Sequence, residues 1–232
     1  MRRRALAFVR TLTIGVVLGL GLASCASEFP ATSACPEEPR EAGRMPGLEE
    51  LLPTELAGQA ATAVDSGWNC LSTTLGTYAS HGVTRLEFAG VTWDEGDGNG
   101  AVAAVFKTAT TDLPLQTSWV EEFYEQGARA SRGVENVETS RPRIDGVGDA
   151  WRLDALNNLS LQTIVVWPHG DHVHVVLVAS TVEPGASRDV HEARVDAAVL
   201  AAASVAADRP VPPPTPLASP APSAPMGAAS SP

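Results

Sequence analysis

Three histidines crowd into one short stretch, Pro168-His169-Gly170-Asp171-His172-Val173-His174. Neutral imidazole is the commonest metal ligand among side chains. On a strand, His172 and His174 project from the same face, about 7 Å apart along the chain. His169 or Asp171 in the adjoining turn supplies a third ligand, and zinc or copper(II) accepts imidazoles in such a set. The competing expectation is a polar hairpin tip whose histidines face water, since spacing places no second cluster of ligands beside it. The other two histidines ask for less. His81 stands beside Gly82, where a helix ends and an imidazole interacts well with the helix dipole. His191 is expected at an exposed position of the last helix.

Other spacings fall short of a reaction. Asp94-Glu95-Gly96-Asp97-Gly98-Asn99-Gly100 has the composition of a calcium loop. An EF-hand frame begun at Glu95, however, puts Phe106 where the bidentate glutamate belongs. A turn-rich hairpin loop accounts for the same residues. There is no G-x-S-x-G, no H-E-x-x-H and no G-x-x-x-x-G-K-[ST]. The single lysine, Lys107, has Ala104 at the spacing where a Ser–Lys pair needs serine. The neighbours Glu121 and Glu122 have acid–base capability, but adjacent helical residues point apart, and both are expected in solvent. No catalytic residue is assigned, and the expectation is a protein that is not an enzyme.

The most specific pattern lies at the start of the chain. Arg2, Arg3, Arg4 and Arg10 precede an uncharged apolar run from Thr11 to Leu22. About 12 residues is too short for a spanning helix, which needs roughly 20, and suits the apolar region of a signal peptide. Leu22-Ala23-Ser24-Cys25 follows. This tetrad resembles the lipobox of bacterial prolipoproteins. The resemblance implies diacylglyceryl transfer to the Cys25 thiol and cleavage before it, so that residues 1–24 leave and Cys25 anchors the mature chain. Two acyl chains give stable attachment where one is marginal, and the implied location is the extracytoplasmic face of the cell membrane.

An exported chain with two further cysteines, Cys35 and Cys70, is expected to pair them. Closing a loop of about 35 residues contributes roughly 3–4 kcal/mol in the chain-entropy view. Without the four signal arginines the mature chain has 12 basic against 27 acidic residues, a net charge of −15. Such a surface repels nucleic acid and anionic headgroups, so attachment must come from the lipid. Fifteen arginines against one lysine point to GC-rich coding and an actinobacterial type of source.

These sites need a frame to position them. Residues 25–47 are proline-spaced and polar, a tether with a reach of roughly 25 Å. Residues 208–232 hold nine prolines among 25 residues and form a tail without core-building capacity. Residues 48–207 make the globular domain. Its expected elements are a helix over 71–80, a hairpin of strands 83–93 and 101–108, and a helix opened by a Ser118/Glu121 capping box. Strands 134–144, 150–156, 161–167 and 173–180 follow, and the last helix, 188–206, groups Val195, Val199 and Leu200. The five tryptophans are expected chiefly as core and rim anchors.

Strand runs interrupted by few helices predict an α+β domain: an antiparallel sheet, hairpin plus meander, packed with two to three helices. Hairpin, amphipathic helix, meander and closing helix is also an order that resembles the PsbP/Mog1-like fold. That resemblance covers about residues 83–206 and implies mostly binding and assembly roles. The combined expectation is a non-catalytic, lipid-anchored module that binds an envelope protein, a cell-wall component or a small ligand. The alternative is a metal-binding protein or metal-dependent enzyme built on His169, His172 and His174.

Overall fold

The computed structural model describes Cys35, residues 37–182 and residues 188–207; Cys25, the expected signal and the proline-rich tail lie outside these. In chain order come α1 (Pro46–Glu49), the two-residue strands β1 (Glu55–Leu56) and β2 (Gln59–Ala60), and β3 (Ala63–Asn69). The short helices α2 (Ser72–Leu75) and α3 (Thr77–Ser80) lead to the hairpin β4 (Leu86–Gly96) and β5 (Asn99–Thr108). Then follow α4 (Thr117–Ala130), β6 (Val134–Ser140), the small strands β7 (Arg143–Ile144) and β8 (Gly148–Asp149), and β9 (Trp151–Asn157). The hairpin β10 (Ser160–His169) and β11 (His172–Thr181) precedes α5 (Arg188–Ala207).

Seven strands form one antiparallel sheet in the order β3-β4-β5-β11-β10-β9-β6. The fold is α+β. Side chains alternate between the faces with period two, and each face has its own helices. Ala89, Val91, Val105, Val165 and Val176 pack under α1 and α5, whose Leu48, Val195 and Val199 complete that core. Leu86, Trp151, Leu153, Val166 and Val175 pack against Leu75, Tyr78 and Val120 on the side of α2, α3 and α4. The central strand β11 is rich in valine because neither of its faces meets water. Turn chemistry sets the register of the first hairpin: Asp97 and Gly98 have φ of 51° and 80°, the left-handed pair that a two-residue connection favours. Among the described residues no helix is long and apolar enough to cross a membrane.

Several elements depart from the pattern-based expectation. The helix over 71–80 is two single turns, because Gly76 sits at φ 53° and ψ −126° and breaks it. No capping box opens α4; Gln116 is its N-cap without a side-chain bond. Glu121 is drawn away by Arg141, whose guanidinium donates to both carboxylate oxygens at 3.1 and 2.6 Å. Glu121 is therefore buried, not solvated. The strand expected over 134–144 stops at Ser140, ahead of Arg141-Pro142, and Ile144 belongs to the β7–β8 ribbon. Leu200 is exposed, lying about 100° round the helix from Val199. The edge strand β3 escaped the alternation test because Asp65, Ser66 and Gly67 interrupt any apolar pattern.

The N-terminal boundary also moves. Residues 37–47 share the composition of a tether, yet they are seated on β3. Arg40 bridges Gly67, Glu41 N–H donates to the Ser66 carbonyl at 3.0 Å, and Met45 N–H donates to Ser66 Oγ at 2.9 Å. Glu38 Oε1 accepts from Cys70 N–H, Leu71 N–H and Thr74 Oγ1 at 2.7, 2.8 and 2.5 Å. Burial works to raise the Glu38 carboxyl, but these donors and Arg40 outweigh it and hold its pKa below the ordinary value.

Gly67 is where this segment comes closest. A Cβ there would stand 1.8 Å from the Pro39 carbonyl oxygen. Gly67→Ala is expected to push residues 37–40 off the edge and cost about 1–3 kcal/mol, the usual range for overpacking. Urea denaturation of the two proteins side by side measures it, and equal midpoints would mean that the segment does not rest on β3.

Candidate functional site

The histidine hairpin is built as its spacing predicts, with its tip at the surface but His174 enclosed. His169 and His172 are cross-strand partners on either side of Gly170-Asp171, and His174 lies two residues further along β11 on the same face. His174 is 1% exposed. Its ring stacks on Trp167 with centroids 5.4 Å apart, and the His169 ring meets it edge-on at 5.8 Å. His174 Nε2 is buried without a hydrogen-bond partner. His172 Nδ1 lies 2.8 Å from Asp171 Oδ1. As placed, the nitrogens of the three rings do not converge within 4.8 Å. Among the described residues the one set of potential ligand atoms that does is Cys35, Glu38 and Cys70. Those two cysteines are joined as a disulfide, with Cα atoms 5.8 Å apart.

Burial depresses the His174 pKa to about 3, with His169 and His172 adding a smaller push in the same direction. Burial also lowers His172, against the pull of Asp171. Both imidazoles are thus neutral near pH 7. His81 caps the end of α3 as expected, and it also stacks on Trp119 at 4.8 Å while its Nε2 meets Glu122 Oε2 at 2.7 Å.

The larger surprise is His191. It is 3% exposed and sits at the centre of a polar chain beneath α5. Thr163 Oγ1 donates to Asp154 Oδ1 at 2.6 Å. Having spent its one proton there, it accepts from His191 Nε2–H at 2.8 Å. His191 Nδ1 is then left to accept the Ser180 hydroxyl at 2.9 Å. Ser180 Oγ in turn accepts from Arg194 Nη1 at 3.3 Å, and Arg194 also reaches Asn99 and Glu95. At the other end Arg152 donates to both Asp154 oxygens at 2.8 Å and to Glu192. Burial pushes the Asp154 carboxyl up, but Arg152 and Thr163 overcome it and hold its pKa below the ordinary range. Burial lowers His191, with Glu192 and Asp154 opposing. The chain therefore works with a neutral imidazole.

A cleft of about 220 Å³ opens beside this chain, between the first turn of α5 and the sheet surface of β6, β9 and β10. Leu156 and Leu161 give it an apolar floor, and Glu138, Arg188 and Glu192 a polar rim. His191, Thr163 and Asp154 contribute to its wall, but Ser180 does not line it. The order serine, histidine, threonine, aspartate is a proton-relay geometry, with the serine sealed away from the cleft that a substrate would enter. What the cleft presents is a shape with charged groups on its rim, suited to holding a ligand.

No protein-family model matches the chain, and no curated protein or solved structure is significantly similar to it.

Pattern reasoning missed the polar chain because its members are common residue types spread over β9, β10, β11 and α5. One signal pointed to it. His191 falls four residues before Val195, on the apolar stripe of the last helix.

Two measurements follow from this geometry. Thr163→Val leaves Asp154 and His191 each one partner short, and is expected to cost about 1–3 kcal/mol in chemical denaturation. A loss under about 0.5 kcal/mol would deny the chain any part in seating α5. Imidazoles neutral in the fold and ordinary when unfolded bind more protons in the unfolded state, so stability is full above about pH 6.5 and declines as pH falls towards 3. The melting temperature should already drop between pH 7 and pH 5, above the range where Asp154 titrates, and drop less in His174→Phe. Equal drops would place the proton uptake elsewhere.

Proposed function

We propose that this chain is a lipoprotein held by diacylated Cys25 on the extracytoplasmic face of the cell membrane, where its acidic domain binds an envelope partner or small ligand without catalysing a reaction. The observation that carries this reading is the Cys35–Cys70 disulfide. Such a bridge persists in an oxidising compartment, which agrees with export through the signal at residues 1–24. It also ties the fold to a point ten residues beyond the anchoring cysteine. Ten chain steps span roughly 35 Å at full extension and about 17 Å as a flexible coil, so the domain stays close to the headgroups. Its net charge of −15 keeps it from lying flat on anionic lipid.

The cleft beside α5 supports binding. Its wall carries charged groups already held by internal partners, and the only serine in the polar chain is turned away from it. The resemblance to the PsbP/Mog1-like fold rests on the order β4–β5, α4, β9–β11, α5, and favours the same class of role. Fold alone does not set function.

Cells fed a labelled fatty acid provide the test of the anchor. The wild-type chain should carry label and sediment with membranes, and Cys25→Ser should lose both. Label and sedimentation unchanged by the substitution would remove the anchor. For the cleft, a photo-crosslinking side chain at Glu138, exposed on β6 and paired with Asp154, should capture a discrete envelope component that the same group at Asp149, on the β7–β8 ribbon, does not.

A further inference from the structure

We infer that His169, His172 and His174 form a binding site for one divalent transition-metal ion of the zinc or copper(II) type, with the buried His174 as its fixed ligand. This goes beyond the anchored-module reading and does not depend on where the chain is tethered.

Three observations carry it. The first is topology. The pairing of His169 with His172 across a two-residue turn puts both side chains on the face that His174 shares two residues later. Directly opposed Cβ atoms in such a ladder are about 5 Å apart, and same-face neighbours along a strand about 7 Å. Three imidazoles thus form a triangle of the size one metal ion spans with bonds of about 2.0–2.1 Å.

The second is the state of His174. A neutral imidazole offers one N–H and one lone pair, and buried polar atoms in folded proteins nearly always find partners. His174 Nε2 has none, although it is buried and the residue is 1% exposed. The stack on Trp167 fixes the ring in one orientation. A metal ion bound at Nε2 supplies the missing partner, with Nδ1 then carrying the proton.

The third is exposure where the site needs it. His169 and His172 are both partly exposed. His169 meets His174 edge-on at 5.8 Å between centroids with the rings perpendicular. His172 is held through its contact with the exposed carboxylate of Asp171. Because the three sets of nitrogens do not converge within 4.8 Å as placed, the site closes by rotation of these two rings about their side-chain bonds onto a stationary His174. The nearest cation, Lys107, faces the same end of the sheet but has Glu87 at 3.7 Å to offset its charge. Asp171 supplies a further carboxylate at the mouth.

The full chain, purified in detergent and stripped with chelator, is titrated with Zn²⁺ by calorimetry and with Cu²⁺ by tryptophan fluorescence. One equivalent of each ion should bind. Copper(II) should quench emission, and Trp167→Phe should remove most of the quench while leaving Zn²⁺ binding intact. His174→Gln should weaken binding about tenfold or more, as loss of a ligand or its support does. If that variant does not fold, His169→Gln and His172→Gln decide the matter, each being partly exposed and each expected to lower affinity. Absence of saturable binding for both ions overturns the proposal. So does an affinity left unchanged in folded His174→Gln, or in both of the other variants, because the ion would then sit on the hairpin surface and not on the buried imidazole.

Discussion

The antiparallel pairing of β5 with β11 is the contact on which the rest of this molecule depends. It joins two hairpin systems made from parts of the chain some 70 residues apart, β4–β5 on one side and β9–β10–β11 on the other. Loop-closure entropy must be met before such a pairing yields any contact, so the strands that make it need strong reasons to stay together. They have them. Val105 and Val176 are fully buried, and the run Val173 to Val178 meets helices or neighbouring strands on every side. Once this seam is closed, α5 lies across it and α4 covers the opposite face.

Both polar assemblies are consequences of the same seam. His174 comes to rest opposite Val105, which is why it is sealed from water. Asn99 at the start of β5 and Ser180 near the end of β11 are brought together where Arg194 of α5 reaches both. The chain from Arg152 through Asp154, Thr163 and His191 to Ser180 then fixes the first turns of α5 against the sheet. An alanine-rich helix has little side-chain volume with which to define its position; directional hydrogen bonds define it instead. In the two assemblies burial has opposite outcomes. Every hydrogen-bonding atom of the His191 ring is satisfied, whereas His174 keeps one unpaired. That asymmetry separates a structural latch from a place where a ligand is wanted.

At the other edge of the sheet, the segment before α1 is held by side chains its composition disguises. Glu38 gathers two backbone N–H groups and a hydroxyl at the start of α2, and the disulfide beside it ties Cys35 to the same point. The bridge sits at the end of the edge strand β3, where Asp65, Ser66 and Gly67 interrupt apolar alternation.

Local pattern was enough for what depends on neighbouring residues. The two-residue turns, the hairpins and the last helix are each set by residues within a few positions of one another, and the α+β class follows from their order. The pairing of Cys35 with Cys70 was legible too, because the resemblance to a lipobox sets Cys25 aside and leaves one partner for each. The common face of His169, His172 and His174 follows from strand periodicity alone. What periodicity does not carry is depth. Whether His174 meets water or Trp167, and whether Glu121 and His191 are solvated or enclosed, depends on which strands pair and which helix lies above them. The same holds for residues 37–47, whose prolines and charges give no sign of the edge they cover. Those outcomes belong to contacts between segments far apart in the chain, and only the assembled sheet and its helices decide them.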